Sequence, residues 1–91
     1  MNPSDKPFQR PDDVIYQTLA DESVLLNLKD SHYWGLNVVG TRMYELLLQK
    51  GNVESAYAVL LTEFDVDAEA LRADFLELVA KLEKAGLITR K

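Results

Sequence analysis

The sequence predicts an α+β domain in which three short antiparallel strands precede three helices, in the order βββααα. Two observations carry that prediction. The apolar pattern has period two before His32 and period three to four after Asn37. Residues suited to cap or stop helices, Asn37, Gly51 and Asp67, stand where those periodic segments begin and end. No later strand pattern is present to cover the third strand, so its outer backbone edge is expected to be free.

Residues 1–12 hold all three prolines and read as an extended, flexible arm that Phe8 pins loosely to a domain over residues 13–91. Val14 to Leu19 is β-branched and aromatic and forms the first strand. Ala20-Asp21-Glu22 is a short turn. Ser23 to Leu28 is the second strand, with Val24, Leu26 and Leu28 on one face and Ser23 and Asn27 on the other. Lys29 to His32 is a polar turn, and Tyr33 to Leu36 returns as the third strand.

Asn37 caps a first helix over about Val38–Gln49, in which Val39, Met43, Leu46 and Leu47 share one face. Tyr44 and Leu48 fall off that stripe. A second helix over about Val53–Glu63 carries the stripe Val53, Ala56, Tyr57, Leu60, Leu61 and Phe64. The third, about Ala68–Lys84, is capped by Asp67 and has the stripe Leu71, Phe75, Leu78 and Leu82, which Leu76 and Val79 widen. Ala85-Gly86 stops it, and Leu87-Ile88 folds back on the core.

Ninety-one residues with 47% apolar side chains support one small core. There is no cysteine, which removes disulfides and thiolate metal sites. The first seven residues lack the apolar centre of a signal peptide, and no apolar run approaches the ~20 residues that span a bilayer, so a cytoplasmic domain without a membrane partner is expected. A net charge of −5 argues against nucleic acid, whose phosphates demand Lys and Arg. The one basic run, Arg90-Lys91, reads as a solvated tail.

Catalytic sets are missing. His32 is the single histidine and reads as a solvated turn residue. The glycines at 35, 40, 51 and 86 are too dispersed to cradle a phosphate. Asp65, Asp67 and Glu69 alternate but lack the glycine and terminal glutamate of a calcium loop. Neither an enzyme nor a cofactor is expected. Three helices beside a small sheet also describe a winged-helix DNA-binding domain, but the polar positions of the third helix are balanced or acidic. A short edge strand beside a helix with extra apolar residues suits strand addition, in which a peptide pairs with the backbone and drops side chains into pockets. Against it stands the reading that Leu76 and Val79 are core and that Tyr33-Trp34 only cover the sheet.

The run Val24-Leu25-Leu26-Asn27-Leu28, the turn, Tyr33-Trp34-Gly35-Leu36-Asn37, Gly40 and Met43-Tyr44-Glu45-Leu46-Leu47 resembles the PqqD-like family. So do Phe64-Asp65-Val66-Asp67 and the Asp74-Phe75-Leu76-Glu77-Leu78 helix ending at Gly86-Leu87-Ile88. The resemblance implies a winged-helix-like fold and a non-catalytic recognition element for ribosomally made, modified peptides. Such an element binds a precursor's leader as a further strand between the third strand and the third helix. Tyr33 to Asn37, in the form Tyr-x-x-Leu-Asn, is most similar to the stand-alone leader-binding proteins of lasso peptide clusters. That implies partnership with a cysteine-type leader peptidase and an ATP-dependent cyclase. Pyrroloquinoline quinone synthesis is the alternative, although its Tyr-Pro-Glu-Gly-like turn is replaced here by Asn27 to His32.

The expected peptide-binding residues are Tyr33, Trp34, Gly35 and Leu36 on the strand and Leu71, Asp74, Phe75, Leu78, Val79 and Leu82 on the helix. Gly35 allows close approach of another strand. Asp74 either accepts a hydrogen bond from the guest or is an ordinary solvated residue. A free edge also pairs with itself, which leaves a homodimer open.

Overall fold

A computed structural model describes residues 6–90, so residues 1–5 of the expected arm and Lys91 of the expected basic tail lie outside the described residues. In chain order the elements are β1 (Phe8–Gln9), β2 (Val14–Leu19), β3 (Glu22–Asn27), β4 (His32–Leu36), α1 (Val38–Lys50), α2 (Val53–Glu63), α3 (Ala68–Lys84) and β5 (Thr89–Arg90). The expected βββααα order is therefore present as β2 to α3, with strand limits that differ by one residue and α1 one residue longer.

β2, β3 and β4 form an antiparallel meander in that order. A two-residue loop joins β2 to β3, with Leu19 opposite Glu22. Ala20 enters it at φ 57°, a left-handed conformation that tightens the reversal. Ser31 does the same before β4, at φ 59°. The register pairs Tyr16, Leu25 and Trp34 across one face and Ile15, Leu26 and Tyr33 across the other.

Val24, Leu26 and Leu28 share one face as expected, and it is the opposite face of β3 that packs on the core. Leu25 is fully buried between Ser23 and Asn27, both buried as well. Those polar groups are tolerated because each has partners. Thr41 Oγ1 donates to the Leu36 carbonyl at 3.2 Å and lies 2.7 Å from Ser23 Oγ, so Ser23 supplies the hydrogen between the two hydroxyls. Asn27 Nδ2 donates to the Ala85 carbonyl at the end of α3, and Asn27 Oδ1 accepts from the Lys29 amide.

The core joins Leu25 and Leu36 of the sheet to Met43, Tyr44, Leu46 and Leu47 of α1, Ala56 and Leu60 of α2, and Leu71, Phe75, Val79 and Leu82 of α3. Tyr44, off the expected stripe, is fully buried because its hydroxyl donates to the Leu87 carbonyl at 3.0 Å. Leu61 and Leu76 lie outside the core and are exposed.

The arm differs from expectation. β1 pairs antiparallel with β5 in a second, two-stranded sheet, Phe8 opposite Arg90. Phe8 is 2% exposed, and its amide donates to the Gly51 carbonyl at 3.0 Å. Gly51 ends α1 at φ 83°, where a Cβ would meet Pro7 at 3.1 Å. The chain thus joins the fold at Phe8, ahead of the expected boundary at residue 13. A lone buried aromatic in a polar stretch is enough to anchor a two-residue strand whose other residue, Gln9, is exposed.

Candidate functional site

β4 pairs with β3 alone, so its other edge carries unpaired backbone groups among the described residues. α1 packs against both β4 and α3, whereas β4 and α3 hardly approach one another. A groove therefore opens beside the free edge, with α1 as its floor.

Several local devices set this geometry. Asn37 follows β4 directly, and its Oδ1 accepts from the Gly40 amide at 2.8 Å, starting α1 at the strand's end. Position 40 must be small, since a Cβ there would stand 3.2 Å from Asn37 Oδ1 and 3.6 Å from the Leu36 side chain. The Thr41 bond to the Leu36 carbonyl ties the same junction. α3 is set by its own cap, Asp67 Oδ2 accepting from the Ala70 amide at 2.9 Å. It is held to α2 by Tyr57, whose hydroxyl donates to the Ala68 carbonyl at 2.7 Å. Arg72 adds a two-pronged contact to Glu54 at 2.6 and 3.2 Å, which holds the Glu54 carboxyl below the usual range.

Within the groove lies a cavity of about 480 Å³ lined by Asn37, Val39, Gly40 and Met43 from the start of α1, Val66 from the loop before α3, and Ala70, Leu71, Asp74 and Leu78 from α3. Its walls are mostly apolar, as peptide side-chain pockets are. Asp74 is the one charged residue in the lining. It is exposed, and its carboxylate makes no hydrogen bond or ion pair within the described residues.

The expected site residues divide into three groups. Leu71, Asp74 and Leu78 line the cavity. Phe75, Val79 and Leu82 are buried with Leu36 in the core and do not line the cavity. On β4, Trp34 and Leu36 point inward, with Trp34 half-buried against the core, while Tyr33 and Gly35 point to the outer face beside Leu26 and Val24. Asn37, Val39, Gly40, Met43, Val66 and Ala70 were not among the expected residues. For Val66 a signal existed: an isolated β-branched residue between Asp65 and Asp67, and it is exposed.

Within the described residues, no group of three or more His, Asp or Glu side chains is placed to hold a metal ion, and no helix is long and apolar enough to cross a membrane.

Two solved structures are similar over nearly the whole chain. One is described as TbiB1 in complex with the TbiA(beta) leader peptide. It superposes with a TM-score of 0.79 at 29% sequence identity, covering 88% of this chain and 93% of that one. The other, lasso peptide synthetase B1 complexed with the leader peptide, gives 0.80 at 22% identity, with 91% and 98% covered, and speaks for the fold. Comparison with curated proteins returned no match. Residues 22–88, from β3 to the residue before β5, match the family model described as coenzyme PQQ synthesis protein D, and the chain belongs to this PqqD family.

Proposed function

We propose that this chain binds the leader segment of a ribosomally made precursor peptide as a strand added along β4, and hands it to a separate maturation enzyme without chemistry of its own. The observation that carries this reading is the unpaired edge of β4, which leads into Asn37 in the lining of an apolar cavity between the start of α1 and α3. Backbone pairing supplies affinity for any strand, and side-chain pockets supply the choice among strands. Inward-pointing residues of the guest would meet Leu71, Leu78, Val39 and Met43, and Asp74 offers a carboxylate to a hydroxyl, an amide or a cation.

The TbiB1 complex, at 29% identity, supports a leader peptide as the guest and lasso peptide maturation as the setting. A cytoplasmic site of action, a winged-helix-like arrangement, and a leader peptidase and cyclase as recipients go with that reading. The family description favours one alternative, a chaperone of pyrroloquinoline quinone synthesis acting through the same groove.

The test is a scan of a synthetic leader peptide by backbone N-methylation, read by calorimetry. Strands bond through every second amide on one side. Methylation should therefore weaken binding at alternate positions of the guest and leave the positions between them near the parent affinity. Uniform tolerance would exclude strand addition. Asp74→Asn, read at low and high salt, reports whether the guest brings a cation to the carboxylate.

A further inference from the structure

The groove lies on one side of the open edge, and the other side holds a second feature. We propose that Gly35 forms a socket on the outer face of the sheet for one large apolar side chain of the added strand, aromatic or long aliphatic. This rests on the strand-addition reading and extends it from one face of the guest to both.

Side chains of a strand alternate between faces, so a guest beside β4 must point every second residue away from the cavity. On that outer face Gly35 stands opposite Val24. A Cβ built on Gly35 meets nothing within 4 Å, so the space above it is open. It continues into a shallow cavity of about 370 Å³ lined by Leu19, Glu22, Val24, Gly35 and Asn37, among others. Exposed apolar residues stand around it, Leu19 at 82%, Tyr33 at 73% and Val24 at 42%, with Gln17 opposite Val24 and Glu22 opposite Leu19 as the polar neighbours.

Neighbouring strands lie ~4.8 Å apart, so the guest residue opposite Gly35 sits two spacings, ~9.6 Å, from Val24. A side chain at position 35 would fill that interval. Its absence leaves a span that an aromatic ring laid across the glycine covers and an alanine does not. Glycine weakens a strand and is out of place in one without a reason, and close approach by a neighbour is a recognised reason. Large residues lying over an edge glycine compensate for its missing side chain. The position has no steric need of glycine for the free fold, since the left-handed glycines are Gly51 and Gly86. The bare site is therefore fitted to the guest. Inner and outer pockets together read guest residues an odd number of positions apart.

The experiment selects dodecapeptides from a random displayed library on the wild-type chain and, in parallel, on Gly35→Val. Wild type should enrich a large apolar residue at one position an odd number of residues from the anchors of the inner groove. Gly35→Val should enrich a small residue there. A wild-type peptide so obtained should bind Gly35→Val at least tenfold more weakly, and replacing its outer residue by alanine should abolish that difference. Thermal melting checks that the variant folds; should it not, Gly35→Ala, with a shorter intrusion, takes its place and should show a smaller loss. The same consensus and affinity from both proteins would overturn the socket while leaving strand addition intact. Failure of the wild type to select any peptide would refute strand addition, and the socket with it.

Discussion

Replacing Phe8 by alanine tests whether the N-terminal segment is part of the fold or a strap laid over it. The ring is 2% exposed, and the Arg90 guanidinium lies 4.0 Å from its centroid. Truncating a buried phenylalanine costs about 3–5 kcal/mol, through lost transfer energy and the cavity left behind. The stacked cation contributes roughly 0.5–1 kcal/mol at a half-exposed site. A domain of this size has a total stability of about 5–14 kcal/mol, so even the lower figure removes a large share. At about 4–8 °C per kcal/mol, the lower figure alone lowers the melting temperature by about 12–24 °C. Calorimetry or circular dichroism melting of wild type and Phe8→Ala measures it. Phe8 lies outside the cavity lining, so affinity for a leader peptide, measured well below the melting point, should be unchanged. A melting temperature within about 2 °C of wild type would refute the reasoning and return residues 6–12 to a loose arm.

Phe75→Ala should behave the same way, losing about 3–5 kcal/mol of stability, because Phe75 is 1% exposed and outside the groove. Thermal melts with and without leader peptide check it, and an equal ligand-induced rise in both proteins places Phe75 in the core alone. Burial pushes the Tyr44 hydroxyl up from 10.0 to about 12, with Arg10 lowering it and Tyr16 raising it further. A pKa raised by folding gives stability that is complete below pH 10 and is lost as pH rises towards 12, up to about 3 kcal/mol. Denaturant melts across that window should show the loss, and Tyr44→Phe should show a flatter profile there at a constant cost of about 1–3 kcal/mol for the orphaned Leu87 carbonyl.

The helices were legible because their signals are local. Asn37, Asn52 and Asp67 each accept from the amide three residues on, and Gly51 takes the left-handed conformation its place demands. A cap and a 3.6-residue stripe need no knowledge of the rest of the chain, so α2 and α3 have the predicted limits. The β1–β5 sheet was not legible, since two-residue strands carry no periodicity and their partners lie at opposite ends of the sequence. The helical wall of the groove was legible only in part. Leu71 and Leu78 share a stripe with Phe75 and Leu82, and periodicity says which residues point the same way without saying where the partner helix stops.

The orientation of β3 shows the same limit from the other side, and it bears on function. Its alternation places three aliphatic residues, Val24, Leu26 and Leu28, opposite Ser23 and Asn27, and hydrophobicity alone would bury the aliphatic set. The fold buries Ser23 and Asn27 instead, because Thr41 and the Ala85 carbonyl satisfy them and Leu25 between them fills the centre. That choice leaves Ile15, Val24 and Tyr33 exposed on the outer face of the sheet. A one-residue slip of register would have hidden them and put Trp34 and Leu36 outside, with nothing inward to hold α1. A strand added to β4 would extend the outer face and the groove in the same step. On the strand-addition reading, the polar residues inside the sheet are what place a groove on one side of the β4 edge and exposed aliphatic residues on the other.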